Sequence, residues 1–190
     1  MDPRELIDFL HTLERLKCNT RHSWTTSERH ESVAEHSWRL AVMAMLMKDE
    51  FPAIDMGRVL AMCLVHDWGE AITGDITSFM KTDENEATED GAIRQLIESL
   101  PASGGYQALF DEMKERSTAE AKLWKALDML EALMQHNEAD LSTWLPLEEE
   151  LQLTYGQSEC AEFEYTKALR KLVESDTLEK LLKKQERSGS

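Results

Sequence analysis

Apolar residues recur at helical spacing through most of this chain, whereas runs that alternate apolar and polar residues over the length of a strand are nearly absent. Residues 32–35 and 117–120 each have the spacing of a capping box, in which a serine and a glutamate satisfy free backbone N–H groups at a helix start. Pro3 suits the first position of a helix. These signals predict an all-α protein, folded as a single compact helical bundle with short loops.

The same periodicity predicts the extent of the helices. The first helix covers residues 3–17, with the leucines at positions 6, 10, 13 and 16 on its buried face. Two further helices begin after Ser32 and Asp55. Three more cover about residues 87–100, 106–115 and 118–137, and two or three helices follow towards the C-terminus. Seven consecutive apolar residues at positions 59–65 predict a helix that is buried on all sides. Residues 18–31 predict a loop, residues 79–90 a mobile connection, and the two glycines after Pro101 a turn.

The composition limits the classes of function that are open to the chain. A length of 190 residues suits one domain, and a net charge of −16 disfavours sequence-independent nucleic-acid binding, because each phosphate contact normally needs a Lys or Arg. No apolar run approaches the roughly 18 residues of a membrane helix, and residues 1–5 lack the order of a signal peptide. The three cysteines form no CxxC pair, which indicates reduced thiols. We therefore expect a cytoplasmic protein without nucleic-acid or membrane partners, and a disordered tail at residues 183–190.

Four side chains stand out as a potential metal site: His36, His66, Asp67 and Asp128. His36 lies on the apolar face of one expected helix, the His66-Asp67 pair ends a second, and Asp128 lies in the middle of a third. Imidazole and carboxylate are ligands that suit borderline divalent metals, and Mn, Co, Zn, Ni, Fe and Mg are all chemically possible. Four protein ligands would leave coordination positions open for water and a substrate, as a catalytic site requires.

Each of these side chains also has a plainer interpretation. His36 taken alone would be a core histidine, and the His66-Asp67 pair would be a helix cap with a favourable dipole contact. A carboxylate such as Asp128 in a helix packing layer costs several kcal/mol unless it is paired or metal-bound. Its alternative is a salt bridge, for which the candidates are Arg21, Arg39 and Lys125.

Four motifs carry a resemblance to a known family. They are ESVAEHS at residues 31–37, HDWGE at residues 66–70, TGDI at residues 73–76 and KALD at residues 125–128. In their order and spacing the chain resembles the HD-domain metal-dependent phosphohydrolases, and most closely the bacterial 5′-deoxynucleotidases and their eukaryotic HD-domain relatives. The resemblance covers roughly residues 5–140. It implies an all-α HD domain, which we place at residues 1–182, and a metal-dependent hydrolase that releases orthophosphate from (deoxy)nucleoside 5′-monophosphates.

The resemblance also implies a role for each matched residue. The metal ligands would be His36, His66, Asp67 and Asp128, so that Asp67 takes part in catalysis. Glu70 would orient the attacking water or transfer a proton. Candidates for binding the substrate are Arg21 and Lys81 at the phosphate, Asp75 at a sugar hydroxyl, Ser78 in the same pocket, and Trp24. As plainer alternatives, Glu70, Arg21 and Lys81 would be solvated charges, and Asp75 a turn residue.

Two departures from the family pattern leave other activities open. The deoxynucleotidases often have a tryptophan directly after the phosphate-binding arginine, whereas here His22 and Ser23 separate Arg21 from Trp24. The prolines that often follow the GD motif are also absent. An HD-type hydrolase of nucleoside triphosphates or guanosine alarmones is one alternative, and a non-catalytic module that binds metal or nucleotide is another. The family resemblance further suggests a homodimer.

Overall fold

Helices dominate the structure, which is a computed structural model describing residues 1–101 and 103–188, apart from the side chains of residues 78, 187 and 188. The elements are α1 (Pro3–Leu13), α2 (Arg15–Cys18), β1 (Thr20–Trp24), β2 (His30–Ser32), α3 (Val33–Leu46), α4 (Met56–Val65), α5 (Glu70–Thr73), α6 (Asp83–Glu98), α7 (Ser103–Glu115), α8 (Ala119–Glu138), α9 (Glu148–Thr154), α10 (Gln157–Cys160) and α11 (Glu164–Ser188). Short 3-10 helices lie at Lys48–Glu50, Ser78–Met80 and Leu141–Thr143. The predicted all-α class is confirmed, with one small two-stranded sheet added.

The central element of the bundle is α8, which contacts α3, α4, α7, α10, α11 and β1. Its residues Leu123, Leu127 and Leu130 are fully buried. Leu40 of α3 and Met62 of α4 belong to the same core. Because α3, α4 and α8 pack directly against one another, polar side chains on their facing sides are brought together inside the bundle.

Caps fix where these three helices begin. Ser32 Oγ accepts a hydrogen bond from Glu35 N at 3.2 Å and Glu35 Oε2 accepts one from Ser32 N at 2.8 Å, so the predicted capping box of α3 is confirmed. Asp55 Oδ1 accepts from Arg58 N at the start of α4. The start of α8 is capped by Thr118 and not by Ser117, because Thr118 Oγ1 accepts from Ala121 N. The prediction for α8 was therefore wrong by one residue.

The predicted loop at residues 18–31 was wrong in one respect, because it contains the antiparallel strands β1 and β2. Thr20 pairs with Ser32 and Trp24 pairs with His30. These strands are polar and do not alternate, so the sequence gives no strand signal. A helix holds them in place instead, since Gln135 Nε2 of α8 donates to the carbonyl oxygen of Trp24 at 2.7 Å.

Helix faces were the least accurate predictions. The first helix ends at Leu13, not at residue 17, and α2 follows after Glu14. Leu6 and Leu10 are 44% and 51% exposed, while Phe9 is buried. The helix α4 is not buried on all sides, because Leu64 is 53% exposed. Burial therefore follows the neighbours of a helix and not its hydrophobicity alone.

The middle of the chain contains more helix than the sequence predicts. Thr82 and Asn85 form a capping box, so α6 begins at residue 83, within the predicted connection. The two glycines at positions 104 and 105 lie inside α7 and not in a turn. The helix α11 includes residues 183–188, and residues 189–190 lie outside the described part. The disordered tail and the domain limit at residue 182 both stay predictions. Among the described residues, no helix has both the length and the apolar character needed to cross a bilayer.

Candidate active site

The structure brings together all four side chains that the sequence predicts as metal ligands. His36 comes from the second turn of α3, His66 from the C-terminal cap of α4, and Asp128 from the middle of α8. The Nε2 atoms of His36 and His66 lie 3.2 Å apart. Asp128 Oδ1 lies 3.1 Å from His36 Nε2, and Asp67 Oδ2 lies 3.0 Å from His66 Nε2.

The other ring nitrogen of each histidine is already engaged. Nδ1 of His66 lies 3.0 Å from the carbonyl oxygen of Cys63, which accepts a hydrogen bond from it. Nδ1 of His36 contacts the carboxylate of Glu131. A proton on each Nδ1 leaves both Nε2 lone pairs directed at the same point, which is how metal-binding histidines are held.

This donor set fits a divalent metal ion. His36, His66 and Asp67 offer ligand atoms that all lie within 4.8 Å of one another, and the carboxylate of Asp128 is next to them. Two imidazole nitrogens and two carboxylates that face each other at such distances favour a bound cation, since together they concentrate negative charge. The set lacks thiolates, so hard and borderline divalent ions match it best.

Both carboxylates in this set are anionic. Burial favours the neutral form of Asp67, but the imidazoles of His66 and His36, when they are protonated, outweigh burial and hold the pKa of Asp67 at about 2. Burial also opposes the charge of Asp128, and Lys125 together with the two histidines keeps the pKa of Asp128 well below its usual range. Lys125 Nζ donates to Asp128 Oδ2 at 2.7 Å. The salt bridge that was the alternative interpretation of Asp128 thus exists alongside its contact with His36.

Glu131 is a residue of this site that the sequence analysis missed. Its side chain is completely buried and contacts His36, while its two oxygens also accept from Arg39 Nε at 2.7 Å and from Arg21 Nη1 at 3.4 Å. The available signal is its spacing, because a residue three positions after Asp128 shares the inward face of α8. Glu131 does not stand out in the sequence, because a glutamate in a helix is ordinarily a solvated charge and the partly buried arginines that stabilise it come from elsewhere in the chain.

Arg21 lies on β1 beside the histidines and lines the same cavity. Nη1 forms both of its ion pairs, one with Glu31 at 3.2 Å and one with Glu131 at 3.4 Å. Burial disfavours its charge, but these carboxylates outweigh burial and raise the pKa of Arg21. Among the described residues Nη2 and Nε make no ion pair, so they remain for an anion that enters the cavity.

Glu70 begins α5 and is buried, with 6% of its surface exposed. Burial and the nearby charges of Asp67 and Asp75 raise the pKa of Glu70 to about 10. Its Oε2 has no hydrogen-bond partner within the described part of the chain. Gly69 permits this position, because a Cβ there would lie 2.8 Å from Ile93 Cγ1, and so α5 packs closely on α6. A buried carboxyl with an unpaired oxygen is suited to holding a water or a proton.

The remaining predicted substrate residues have different positions. Asp75 and Lys81 line the same cavity as the histidines, and Lys81 forms an ion pair with Glu89. Ser78 begins a 3-10 helix beside them, but its side chain lies outside the described residues. The structure does not bring Trp24 into this cavity. Its ring centre lies 4.2 Å from that of His30, with the rings tilted by 41°, in a separate surface depression, and His22 lines the cavity instead.

The cavity has a volume of about 510 Å³. This is within the range of pockets that hold small molecules. The metal-ligand candidates and Arg21 lie in its wall. The arrangement thus combines a fixed group of metal-ligand candidates, a partly buried guanidinium and a buried carboxyl group around a space large enough for a nucleotide.

Comparisons with known proteins agree with this chemistry. A family model of the HD domain matches residues 13–169. The 5′-deoxynucleotidase HDDC2 of Homo sapiens is 36% identical over 141 residues, which cover 71% of this chain and 68% of that protein. The 5′-deoxynucleotidase hdd1 of Schizosaccharomyces pombe is 35% identical over 159 residues, which cover 73% and 79%. The structure of a predicted metal-dependent phosphohydrolase from Magnetospirillum magnetotacticum MS-1 has a TM-score of 0.82 and 29% identity, over 93% of each chain.

Proposed function

The chain belongs to the HD-domain family, and from this premise we infer that it is a metal-dependent phosphohydrolase that converts deoxynucleoside 5′-monophosphates into nucleoside and orthophosphate. The observation that carries the inference is the meeting of the His36 and His66 Nε2 atoms, 3.2 Å apart, with two carboxylates beside Arg21. Relatives named 5′-deoxynucleotidase, which match over about 70% of this chain, support this substrate class.

The metal ligands in this proposal are His36, His66, Asp67 and Asp128. A divalent ion held by them would act as a Lewis acid on the phosphoryl group and lower the pKa of a bound water. The reaction itself forms one bond from the water oxygen to phosphorus and breaks the bond from phosphorus to the 5′ oxygen of the nucleoside. The nucleoside leaves with that oxygen and takes up a proton.

The protein's own residues bind the substrate and handle its proton. Arg21 uses its free N–H groups to hold the phosphoryl oxygens, and its fixed position means that little entropy is lost on binding. Glu70 exchanges a proton with the attacking water or the leaving oxygen. Asp75 accepts a hydrogen bond from a sugar hydroxyl, and Lys81 adds positive charge near the phosphate once it separates from Glu89.

Longer phosphate chains are the alternative substrates for this cavity. Two of the lysines along the cavity are already paired, Lys81 with Glu89 and Lys114 with Asp90. A nucleoside triphosphate or a guanosine alarmone would need several cationic groups along its phosphates, and the relatives named 5′-deoxynucleotidase favour the monophosphate. Product analysis separates these substrates, because a monophosphate gives orthophosphate, whereas the alternatives would give triphosphate or pyrophosphate.

The test is phosphate release from deoxy- and ribonucleoside monophosphates with each candidate metal, for the wild type and two variants. Asp128→Asn keeps the shape of the side chain but removes its charge, so we expect loss of both bound metal and turnover. Glu70→Gln should keep the metal and lower kcat by about 10²- to 10⁴-fold, because it loses proton transfer alone. Glu86→Gln, a cavity-lining change on α6, is the control. Wild-type activity in both site variants would contradict the proposal.

We also propose that the enzyme is cytoplasmic and forms a homodimer. The support for a dimer is an apolar patch on the outer face of α3, where Trp38, Met45 and Leu46 are 65%, 56% and 76% exposed. Residues seven and eight positions apart share one helix face, so these side chains form one surface. Large exposed apolar patches of this kind mark contact sites between proteins.

A further inference from the structure

A second group of polar side chains lies in the wall of the same cavity, away from the proposed metal ligands. It consists of His22 on β1, His136 on α8 and Glu148 on α9, and we call it the histidine-glutamate cluster. Glu148 Oε1 lies 3.0 Å from His22 Nε2, and Glu148 Oε2 lies 3.4 Å from His136 Nε2. His136 and Glu148 are buried, with 8% and 5% of their surface exposed.

The imidazole groups of this cluster lack hydrogen bonds. The Nε2 atoms of His22 and His136 are both buried and have no hydrogen-bond partner within residues 1–101 and 103–188. The contacts of these two atoms with Glu148, at 3.0 and 3.4 Å, are ion-pair contacts and not hydrogen bonds. A buried polar group without a hydrogen-bond partner is unfavourable. Because both histidines line the cavity, a ligand that pairs with them would remove this cost.

The cluster is held rigidly. The Trp144 ring stacks on His136, with ring centres 4.4 Å apart, and Trp144 Nε1 donates to the carbonyl oxygen of His136 at 3.1 Å. Glu148 Oε2 accepts from Leu145 N at 2.6 Å. The ring of His22 meets Phe79 edge to face. These contacts fix the polar groups before any ligand arrives, which lowers the entropy cost of binding.

The position of the cluster along α8 matches the length of a nucleotide. Asp128, Ala132 and His136 are spaced four residues apart, so they form one stripe on this helix, and all three line the cavity. His136 lies eight residues after Asp128, which is about 12 Å along the helix axis. Ala132 between them carries only a methyl group and so leaves room for a sugar.

We propose that the histidine-glutamate cluster binds the edge of the nucleobase while the phosphate occupies the metal end of the cavity. This proposal rests on the function inferred above and deepens it. The carboxylate of Glu148 accepts from an N–H of the base, and the imidazole groups pair with a neighbouring base atom. Adenine, guanine, cytosine and thymine each present a donor beside an acceptor, so the cluster recognises a base as such. Sugar phosphates without a base are therefore poor substrates.

The test compares the four deoxynucleoside monophosphates with 2-deoxyribose 5-phosphate, which has the same phosphoester but no base. For the wild type we expect kcat/KM to be higher on the nucleotides by at least about tenfold, the value of one good hydrogen bond to a charged group. His136→Phe keeps the stacking on Trp144, and Glu148→Gln keeps the shape of the carboxylate. Each should raise KM for the nucleotides about tenfold with kcat unchanged, because uniform binding is lost.

On 2-deoxyribose 5-phosphate, both variants should match the wild type, which also shows that they are folded. Glu86→Gln, which removes a carboxylate from the α6 wall of the cavity, serves as the charge-matched control. It should leave kcat/KM unchanged on both substrates. Equal losses on both substrates, or a wild type that treats them equally, would overturn the proposal. Loss of a metal equivalent in His136→Phe would also overturn it. If the wild type hydrolyses none of these esters, the function inferred above fails instead.

Discussion

At the scale of single residues, the site depends on a carboxylate that would touch neither metal nor substrate. Glu131 contacts Nδ1 of His36 and is stabilised by two arginines, so it fixes both the tautomer and the ring orientation of that histidine. It is also the point where the proposed metal site and the proposed phosphate-binding arginine meet. The role of Glu131 is therefore to position other groups, and a substitution at Glu131 should change the metal affinity.

We expect Glu131→Gln to weaken metal binding by about 10- to 100-fold, because His36 loses the charge that makes it a strong ligand. Metal titration of the folded protein measures this. Glu138→Gln is the matched control, since Glu138 pairs with the same Arg39 but is exposed and distant from His36. A merely structural role for Glu131 would lower the thermal stability of the variant and leave its metal affinity equal to that of the control.

The sequence predicts the four metal-ligand candidates but not the residues that support them. His36 and Asp128 are recognisable because a polar side chain on an apolar helix face needs a partner. Glu131 is not, because the arginines that neutralise it are about 90 to 110 positions away. The sequence predicts Trp24 as a substrate residue, whereas His22 lines the cavity, and the reason is the pairing of a short strand. This pairing decides which side chain faces the cavity, and a polar strand has no alternation of apolar and polar residues that would reveal it.

At the scale of elements, ion pairs between helices fix the frame around the site. Glu112 of α7 accepts from Arg58 Nε of α4 and from Thr118 Oγ1, which caps α8, both at 2.5 Å. One carboxylate thus connects the start of α4 and the start of α8, two helices that carry metal-ligand candidates. Caps such as Ser32 were predictable because they depend on local spacing, whereas this connection depends on three separate segments.

A pH dependence follows from this connection. The hydrogen bond from Arg58 is the main cause of a pKa of Glu112 below its ordinary value of 4.5, although burial opposes it. A lowered folded-state pKa stabilises the fold above pH 4.5, and this stabilisation is lost as the pH falls through the folded-state value. We expect Glu112→Gln to be less stable than the wild type at pH 7, by up to about 1 kcal/mol since Arg58 is partly exposed.

Urea unfolding from pH 7 down to pH 3 would measure this difference. It should shrink as the pH falls below 4.5, because the wild type then loses the same charge as the variant. Glu98→Gln on α6, a carboxylate for which the described residues provide no ion pair, is the control and should give no pH-dependent difference of comparable size. A constant gap between wild type and Glu112→Gln at all pH values would contradict the assignment of the effect to this ion pair.

At the scale of the whole molecule, the all-α class follows directly from the periodicity, but the outer surface does not. Helical spacing predicts that one face of α3 is buried, and it is, with Val33 and Leu40 inside. The same pattern does not predict that Trp38 on the opposite face is exposed, because an apolar residue there has the same sequence signal as a core residue. In the proposed homodimer, the exposed apolar residues of α3 would be explained by the contact between subunits and not by the fold of one chain.

We expect Trp38→Glu to convert the proposed homodimer to a monomer, since a charge in an apolar contact remains unpaired when buried. Light scattering over a range of protein concentrations would measure the mass. Leu182→Glu is the control, because Leu182 is 58% exposed on a different helix, α11, and its variant should keep the mass of the wild type. A wild-type protein that is monomeric at all concentrations would contradict the dimer.

The placement of Arg21 on a hairpin, while the metal-ligand candidates belong to packed helices, has a consequence for exchange with solvent. A two-stranded sheet is only marginally stable by itself. Here it is also stabilised by contacts with α8, which include the hydrogen bond from Gln135 and the ion pair of Arg21 with Glu131. Local opening of β1 would therefore require much less free energy than opening of α8. Rare local opening of β1 would move Arg21 away from a metal centre that stays assembled, so orthophosphate would leave without loss of the metal.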